Sequence, residues 1–196
     1  MIVEGKGKIA PTPTVVWLTE TELVSVRAYT RDLAKKTGWN IDNALVGAFG
    51  EGTFAKHLHS TIGLRYLAQT GCYFHYGDGG VDFEIYGVKI QMKTRRRGGY
   101  CQVKRTRKKS ADVYSLIPLR CDILIFAELR TKIGAEIQQI HLLGWIRLDE
   151  FEQCGEGKRR DDGFYTRIDP KYLEPISKLV ALLKVKQQES RQHGIN

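Results

Sequence analysis

Val81-Asp-Phe-Glu-Ile-Tyr-Gly-Val-Lys-Ile-Gln-Met-Lys-Thr94 decides the fold. Val81, Phe83 and Ile85 alternate with Asp82, Glu84 and Tyr86, and after Gly87 the apolar Val88, Ile90 and Met92 alternate with Lys89, Gln91 and Lys93. Period two on both arms predicts a β-hairpin with one apolar face, and Tyr86-Gly87 is its expected turn. A two-residue turn makes opposite residue numbers sum to 173, pairing Phe83 with Ile90 and Ile85 with Val88 on the apolar face. The same register sets Asp82 opposite Gln91 and Glu84 opposite Lys89, with Lys93 one diagonal step from Asp82, within roughly 8 Å. Tyrosine is a poor residue for the positive φ that opens a type I′ turn, so a longer loop with shifted register is the competing reading. The apolar pairing argues against it.

Outward from the hairpin, the sequence reads as one α/β domain. Thr19 and Glu22 form a capping box opening a helix to Lys36, with Gly38 as its stop, and a second helix covers Asp42 to Leu58. Thr70 to Gly80 is expected as a strand or loop closed by the Gly77-Asp78-Gly79-Gly80 turn. After the hairpin comes a basic loop, then Cys121 to Leu129, a strand buried on both faces, and its partner Ile137 to Ile146. A short helix from Asp149 to Cys154 leads into a polar loop, and Pro170 precedes a final helix of about 17 residues. Residues 1–40 are expected as an N-terminal helical extension, 42–180 as the core and 187–196 as a disordered tail.

The chain has 196 residues, 42% of them hydrophobic and 27% charged, and its net charge is +9. Nine basic residues lie between Lys93 and Lys109 (Lys93, Arg95, Arg96, Arg97, Lys104, Arg105, Arg107, Lys108 and Lys109), with no acid among them. Removing these nine from the 31 Lys and Arg leaves 22, equal to the 22 Asp and Glu, so the whole net charge belongs to this stretch. Such a field attracts a polyanion, and nucleic acid is the commonest one. A solvated basic loop, or one that docks an acidic protein, is the alternative. No apolar run reaches the ~18 residues of a membrane span, and the opening segment has no signal-peptide core. Cys72, Cys101, Cys121 and Cys154 are far apart, which suits a reducing cytoplasm better than a disulfide framework or a zinc ribbon. There is no P-loop, dinucleotide fingerprint, nucleophile elbow or His-Glu-x-x-His, so His57, His59 and His75 read as surface or helix-end residues.

Within the second helix, Glu51 falls at helical spacing between Ala48 and Phe54/Ala55, on the stripe that should face the core. A carboxylate there needs a partner or a metal, unless it sits solvated at the stripe's edge. Gly47, Gly50 and Gly52 each sacrifice about 1 kcal/mol of helix propensity, which close backbone approach would explain.

The order of a helix acid Glu51, then Asp82, then Gln91-Met92-Lys93 on the next strand resembles the PD-(D/E)XK, or restriction-endonuclease-like, nuclease superfamily, over about Gly47 to Leu129. The resemblance implies a restriction-endonuclease-like core, a central mixed four- to five-stranded sheet flanked by helices. It implies a metal-dependent DNA endonuclease or junction-resolving enzyme, with Glu51, Asp82, Gln91 and Lys93 as catalytic residues. Glu51, Asp82 and the Gln91 amide oxygen would hold Mg2+ or Mn2+, and Lys93 would act on the attacking water or the phosphate charge. Arg95, Arg96, Arg97, Lys104, Arg105, Arg107, Lys108 and Lys109 would grip double-stranded or branched DNA, and a homodimer would suit cutting of two strands. Gln91 stands where many members carry Asp or Glu, so the same fold as a non-catalytic nucleic-acid-binding protein is the rival. Asp78 is the second choice for the strand-side acid. Leu129 to Ile137 is too short for the family's crossing helix, which is expected later, near Phe151.

Overall fold

A computed structural model describes residues 9–38, 40–64, 81–110 and 113–192. The expectations for the Thr70–Gly80 segment, including Asp78, His75 and Cys72, lie outside the described residues. The chain forms a mixed α/β structure in three layers. Its elements are β1 (Thr14–Leu18), α1 (Glu20–Thr37), α2 (Ile41–Ile62), β2 (Phe83–Ile85), β3 (Val88–Arg96), β4 (Cys101–Lys104), β5 (Thr106–Ser110) and β6 (Val113–Leu116). There follow β7 (Ile123–Leu129), β8 (Gln138–Arg147), α3 (Leu148–Cys154), β9 (Glu156–Arg160), β10 (Gly163–Ile168), a 3-10 turn at Pro170–Tyr172 and α4 (Ile176–Gln192).

The central sheet has five strands in the order β1-β8-β7-β3-β2. Only β3 and β7 run parallel; the other neighbours are antiparallel. All seven residues of β7 are buried, as expected of a strand covered on both faces. On one face Ile90, Met92, Ile125 and Ile140 pack against Phe49, Phe54 and Leu58 of α2, Leu23 of α1 and Leu179 and Leu183 of α4. On the other, Leu124, Phe126 and Ile146 pack against Phe151 of α3, Cys101 and Val103 of β4 and Ile168 of β10.

The helix starts follow their local chemistry. Thr19 N–H donates to the Glu22 carboxylate at 2.8 Å, closing the capping box, and Asn40 Oδ1 accepts from Asn43 N–H at 3.1 Å to start α2. The hairpin register is the one that sums to 173: Phe83 faces Ile90, Glu84 faces Lys89 and Ile85 faces Val88. The turn has two residues, with φ of 49° at Tyr86 and 77° at Gly87. Tyr86 accepts the left-handed conformation because its ring is half-buried against the main core, so side-chain packing offsets the backbone cost.

Five expectations are corrected. The basic stretch is not a loop: Arg95 and Arg96 end β3, Lys104 ends β4, and Arg107, Lys108 and Lys109 lie on β5, whose partner is β6. The polar segment after Cys154 is the β9–β10 hairpin, which with β4 builds a second, three-stranded sheet. Every side chain of β9 is exposed, so its strand state comes from backbone pairing rather than an apolar pattern. The N-terminal region is not only helical, because Thr14–Leu18 pairs with β8 as an edge strand of the main sheet. The final helix runs to Gln192, through most of the expected tail, with a Lys186–Glu189 ion pair at 2.8 Å in its last turns. The connection from β3 to β7 is made by β4, β5 and β6. The expected helix near Phe151 is α3, and it follows β8 instead of separating sheet strands.

Candidate functional site

β2 begins only at Phe83, opposite Ile90, while β3 continues to Arg96, so from Met92 onward one edge of β3 has no strand beside it among the described residues. Asp82 stands at this fork. Its backbone N–H donates to the Ile90 carbonyl at 2.8 Å, and its Oδ2 accepts from the Met92 N–H at 2.6 Å. The carboxylate thus takes the backbone donor that the missing strand would have taken, which holds it beside Gln91 and Lys93.

Gln91, Lys93 and Arg95 alternate with Met92 and Thr94 along β3 and lie level with Leu124, Phe126 and Glu128 of β7. They share the sheet face that carries the smaller sheet; Met92 and Thr94 face the helices. Gln91 is 5% exposed, and its Oε1 has no hydrogen-bond partner among the described residues. A buried acceptor left open costs about 1–3 kcal/mol. Lys93 is half-buried and belongs to no ion pair among the described residues. Burial pushes the nearby Cys121 thiol up to about 11; the charge of Lys93 works against that rise, and Asp122 and Asp82 add to it.

α2 crosses β3 at Gly50. A Cβ on Gly50 would lie 1.8 Å from Thr94 Oγ1 and 3.0 Å from Thr94 Cβ, so only glycine admits this approach. The expectation of close backbone approach holds at Gly50. It fails at Gly47, which has open space, and at Gly52, whose nearest neighbour is in ordinary contact at 3.8 Å. Glu51 follows Gly50 and is half-buried, with its Oε2 shielded from solvent. The crossing brings Glu51 to β3, but α2 lies on the face opposite Gln91 and Lys93, so Glu51 can meet them only round the free edge of β3. Thr53 and Thr94, which the sequence did not single out, carry buried hydroxyls with no partner among the described residues.

The basic residues divide. Arg95 bridges Glu128 at 2.8 Å and donates to the Gly99 carbonyl at 2.6 Å, while Arg130 pairs with the other Glu128 oxygen. Burial by itself would raise the Glu128 carboxyl, but Arg130 and Arg95 outweigh it and hold the group below its ordinary range. Arg96 reaches Asp42 and Asn43 at the start of α2, Lys104 pairs with Asp162 at 2.7 Å, and Arg105 pairs with Glu152. Arg97 is exposed in the turn after β3 and belongs to no ion pair among the described residues. The side chains of Arg107, Lys108 and Lys109 lie outside the described residues. The net charge is thus partly spent on structure, which the run of residues alone did not reveal. His57 lies on α2, where burial lowers its pKa, and His59 is exposed near the end of that helix.

Among the described residues no three His, Cys, Asp or Glu side chains gather as a metal site. The oxygen donors at the fork are the Asp82 carboxylate and the open Gln91 amide oxygen, hard ligands of the kind magnesium and manganese take. They fit such an ion. Compared with known proteins, the chain matches no family model, no curated protein and no solved structure. No described helix is long and apolar enough to cross a membrane.

Proposed function

We propose that the chain is a Mg2+- or Mn2+-dependent DNA nuclease on a restriction-endonuclease-like core, cutting double-stranded or branched DNA as an endonuclease. One observation carries the reading: at the fork of the hairpin Asp82 is locked opposite Gln91, whose buried Oε1 is left open, with Lys93 two residues on along the same face. Asp82 and Gln91 would supply oxygen ligands to the ion, and Glu51 would add a carboxylate. A bound divalent ion would polarise the scissile phosphate and lower the pKa of a water. Lys93 offsets negative charge that builds on the phosphate oxygens as the bond to the leaving oxygen breaks. Arg95, fixed by Glu128 and Gly99, sets the position of β3 and adds positive potential beside Lys93. Arg97 supplies a charge for the DNA backbone, and Arg107, Lys108 and Lys109 extend the same reading. A homodimer would present two such forks to two strands. The free thiols Cys101, Cys121 and Cys154 suit a cytoplasmic setting.

The test is cleavage of supercoiled plasmid, linear duplex, single strands and a four-way junction with magnesium, manganese or EDTA. Metal-dependent cutting that disappears in Asp82→Ala and Lys93→Ala, with DNA binding kept, is the expected result. Equal cutting by the wild type and Asp82→Ala would remove this assignment. The second reading is a non-catalytic nucleic-acid-binding protein. It is favoured by the amide at position 91 in place of an acid. It predicts binding without cutting under every metal.

A further inference from the structure

The smaller sheet has one buried face and one open face. Cys101 and Val103 of β4 and Ile168 of β10 point into the second core. By strand alternation Gln102 and Lys104, Tyr165 and Arg167, and Lys158 and Arg160 point the other way. In the register, Lys104, Tyr165 and Lys158 form one row across the three strands, and Gln102, Arg167 and Glu156 form the next.

Aromatic rings and cations interleave on this open face. The Arg167 guanidinium lies 3.4 Å from the centre of the Tyr100 ring, and Arg160 stands 6.0 Å from Tyr100 and 5.2 Å from Tyr165. Lys104 Nζ is 5.5 Å from the Tyr165 ring. Tyr100 is 53% exposed although it is a large ring. Phe164 and Arg159, 5.7 Å apart, lie on the opposite face of this sheet by the same alternation. The acids on the face are already engaged: Asp162 by Lys104 and the Tyr165 hydroxyl, and Glu156 by Lys158. Arg160 and Arg167 belong to no ion pair among the described residues, so the face keeps two positive charges unopposed by acids.

We propose that this face binds single-stranded nucleic acid. A duplex offers a protein its phosphates while its bases stack on each other, which leaves exposed rings and flat guanidinium groups without a role. Unpaired bases present free faces to Tyr100, Tyr165 and Arg167, and their phosphates fall within reach of Arg160. Three strands and five residues of β10 give a platform of about 10 Å by 13 Å, room for about two or three bases. Tyr100 follows Lys93 by only seven residues, through the turn at Gly98, so a strand held here leads toward the fork. The open face shares no residue with the Asp82, Gln91 and Lys93 fork.

Fluorescence anisotropy of the whole protein in EDTA tests it, using short labelled oligo-dT, oligo-U and a blunt duplex. Tyr100→Leu should weaken oligo-dT or oligo-U binding about tenfold without changing its salt slope, and should leave duplex binding alone. Tyr100→Phe, which keeps a ring, should restore binding. Arg160→Gln should weaken single-strand binding and make its salt slope shallower by about 0.7. Unchanged single-strand affinity in both Tyr100→Leu and Arg160→Gln would overturn the proposal, as would equal losses on duplex and single strand. Competition by polyglutamate as strong as that by oligo-dT would also overturn it, pointing to an acidic protein partner. Because no metal is present, failure of the nuclease reading would show only in the cleavage assay and would leave these binding differences in place.

Discussion

Gly50→Ala sets two opposing effects on one atom. Alanine in the interior of α2 gains about 1 kcal/mol of helix propensity over glycine. The added Cβ, however, would stand 1.8 Å from Thr94 Oγ1, 3.0 Å from Thr94 Cβ and 3.2 Å from Thr94 Cγ2. Ordinary contact begins near 3.4 Å, so the hydroxyl must withdraw by well over an ångström. Rotating Thr94 can turn its hydrogen toward the new Cβ, at the expense of its stiff χ1 preference, but it leaves the 3.0 Å contact to Thr94 Cβ, which is fixed to a strand paired along its length with β7. The helix and strand must part, and overpacking as severe as a 1.8 Å approach falls in the upper part of the usual range, at about 2–3 kcal/mol. We expect a net loss of about 1–2 kcal/mol in urea melts, and for a domain of this size a fall in Tm of about 3–6 °C. Gly50→Ala combined with Thr94→Ala should recover part of the loss, since the 1.8 Å and 3.2 Å contacts vanish while the 3.0 Å contact stays. A Gly50→Ala variant as stable as the wild type or more so would refute the close crossing of α2 and β3, and with it the approach of Glu51 to the fork.

Glu128→Gln should cost about 2–3 kcal/mol, because it leaves Arg95 and Arg130 without their shared carboxylate. Since the Glu128 carboxyl is held below 4.5, its contribution is complete above that pH and is lost as pH falls through the lower native value. The wild type should therefore lose more stability than the variant in acid urea melts. Iodoacetamide at neutral pH should spare Cys101 and Cys121, both buried and raised to about 11, and should label the half-buried Cys154 ahead of both; fast labelling of Cys121 would contradict its placement. Manganese should raise the Tm of the wild type, raise it further in Gln91→Glu, and leave Asp82→Ala unmoved; an equal rise in all three would place the ion elsewhere.

The hairpin was legible because its evidence is local. Phe83, Ile85, Val88 and Ile90 admit one register that buries all four, and that register carries Asp82 to Gln91. The starts of α1 and α2 and the buried β7 were legible for the same reason. β9 was not, because Glu-Gly-Lys-Arg-Arg has no apolar alternation and becomes a strand only through the backbone of β10. The pairing of Arg95 with Glu128 was hidden as well, since it exists only in the parallel register of β3 on β7. The bond from Met92 N–H to Asp82 was not read directly, yet it follows once β2 stops short of β3. Gly50 signalled a near neighbour in its composition, but only the tertiary structure names Thr94.

The single parallel pairing has a consequence for how the chain reaches this arrangement. The β2–β3 hairpin closes over two residues, and β7–β8 closes over the eight residues between Leu129 and Gln138. Joining β3 to β7 brings Ile90 to Ile123, 33 residues away, and β1 meets β8 with Thr14 opposite Leu142, 128 residues away. Loop closure makes the two hairpins the early events and their side-by-side docking the slow step, with β1 sealing the sheet last. Until β3 docks, the whole length of β7, Ile-Leu-Ile-Phe-Ala-Glu-Leu, offers a bare apolar edge to other chains, so refolding yield should fall with protein concentration more steeply than the native surface would suggest.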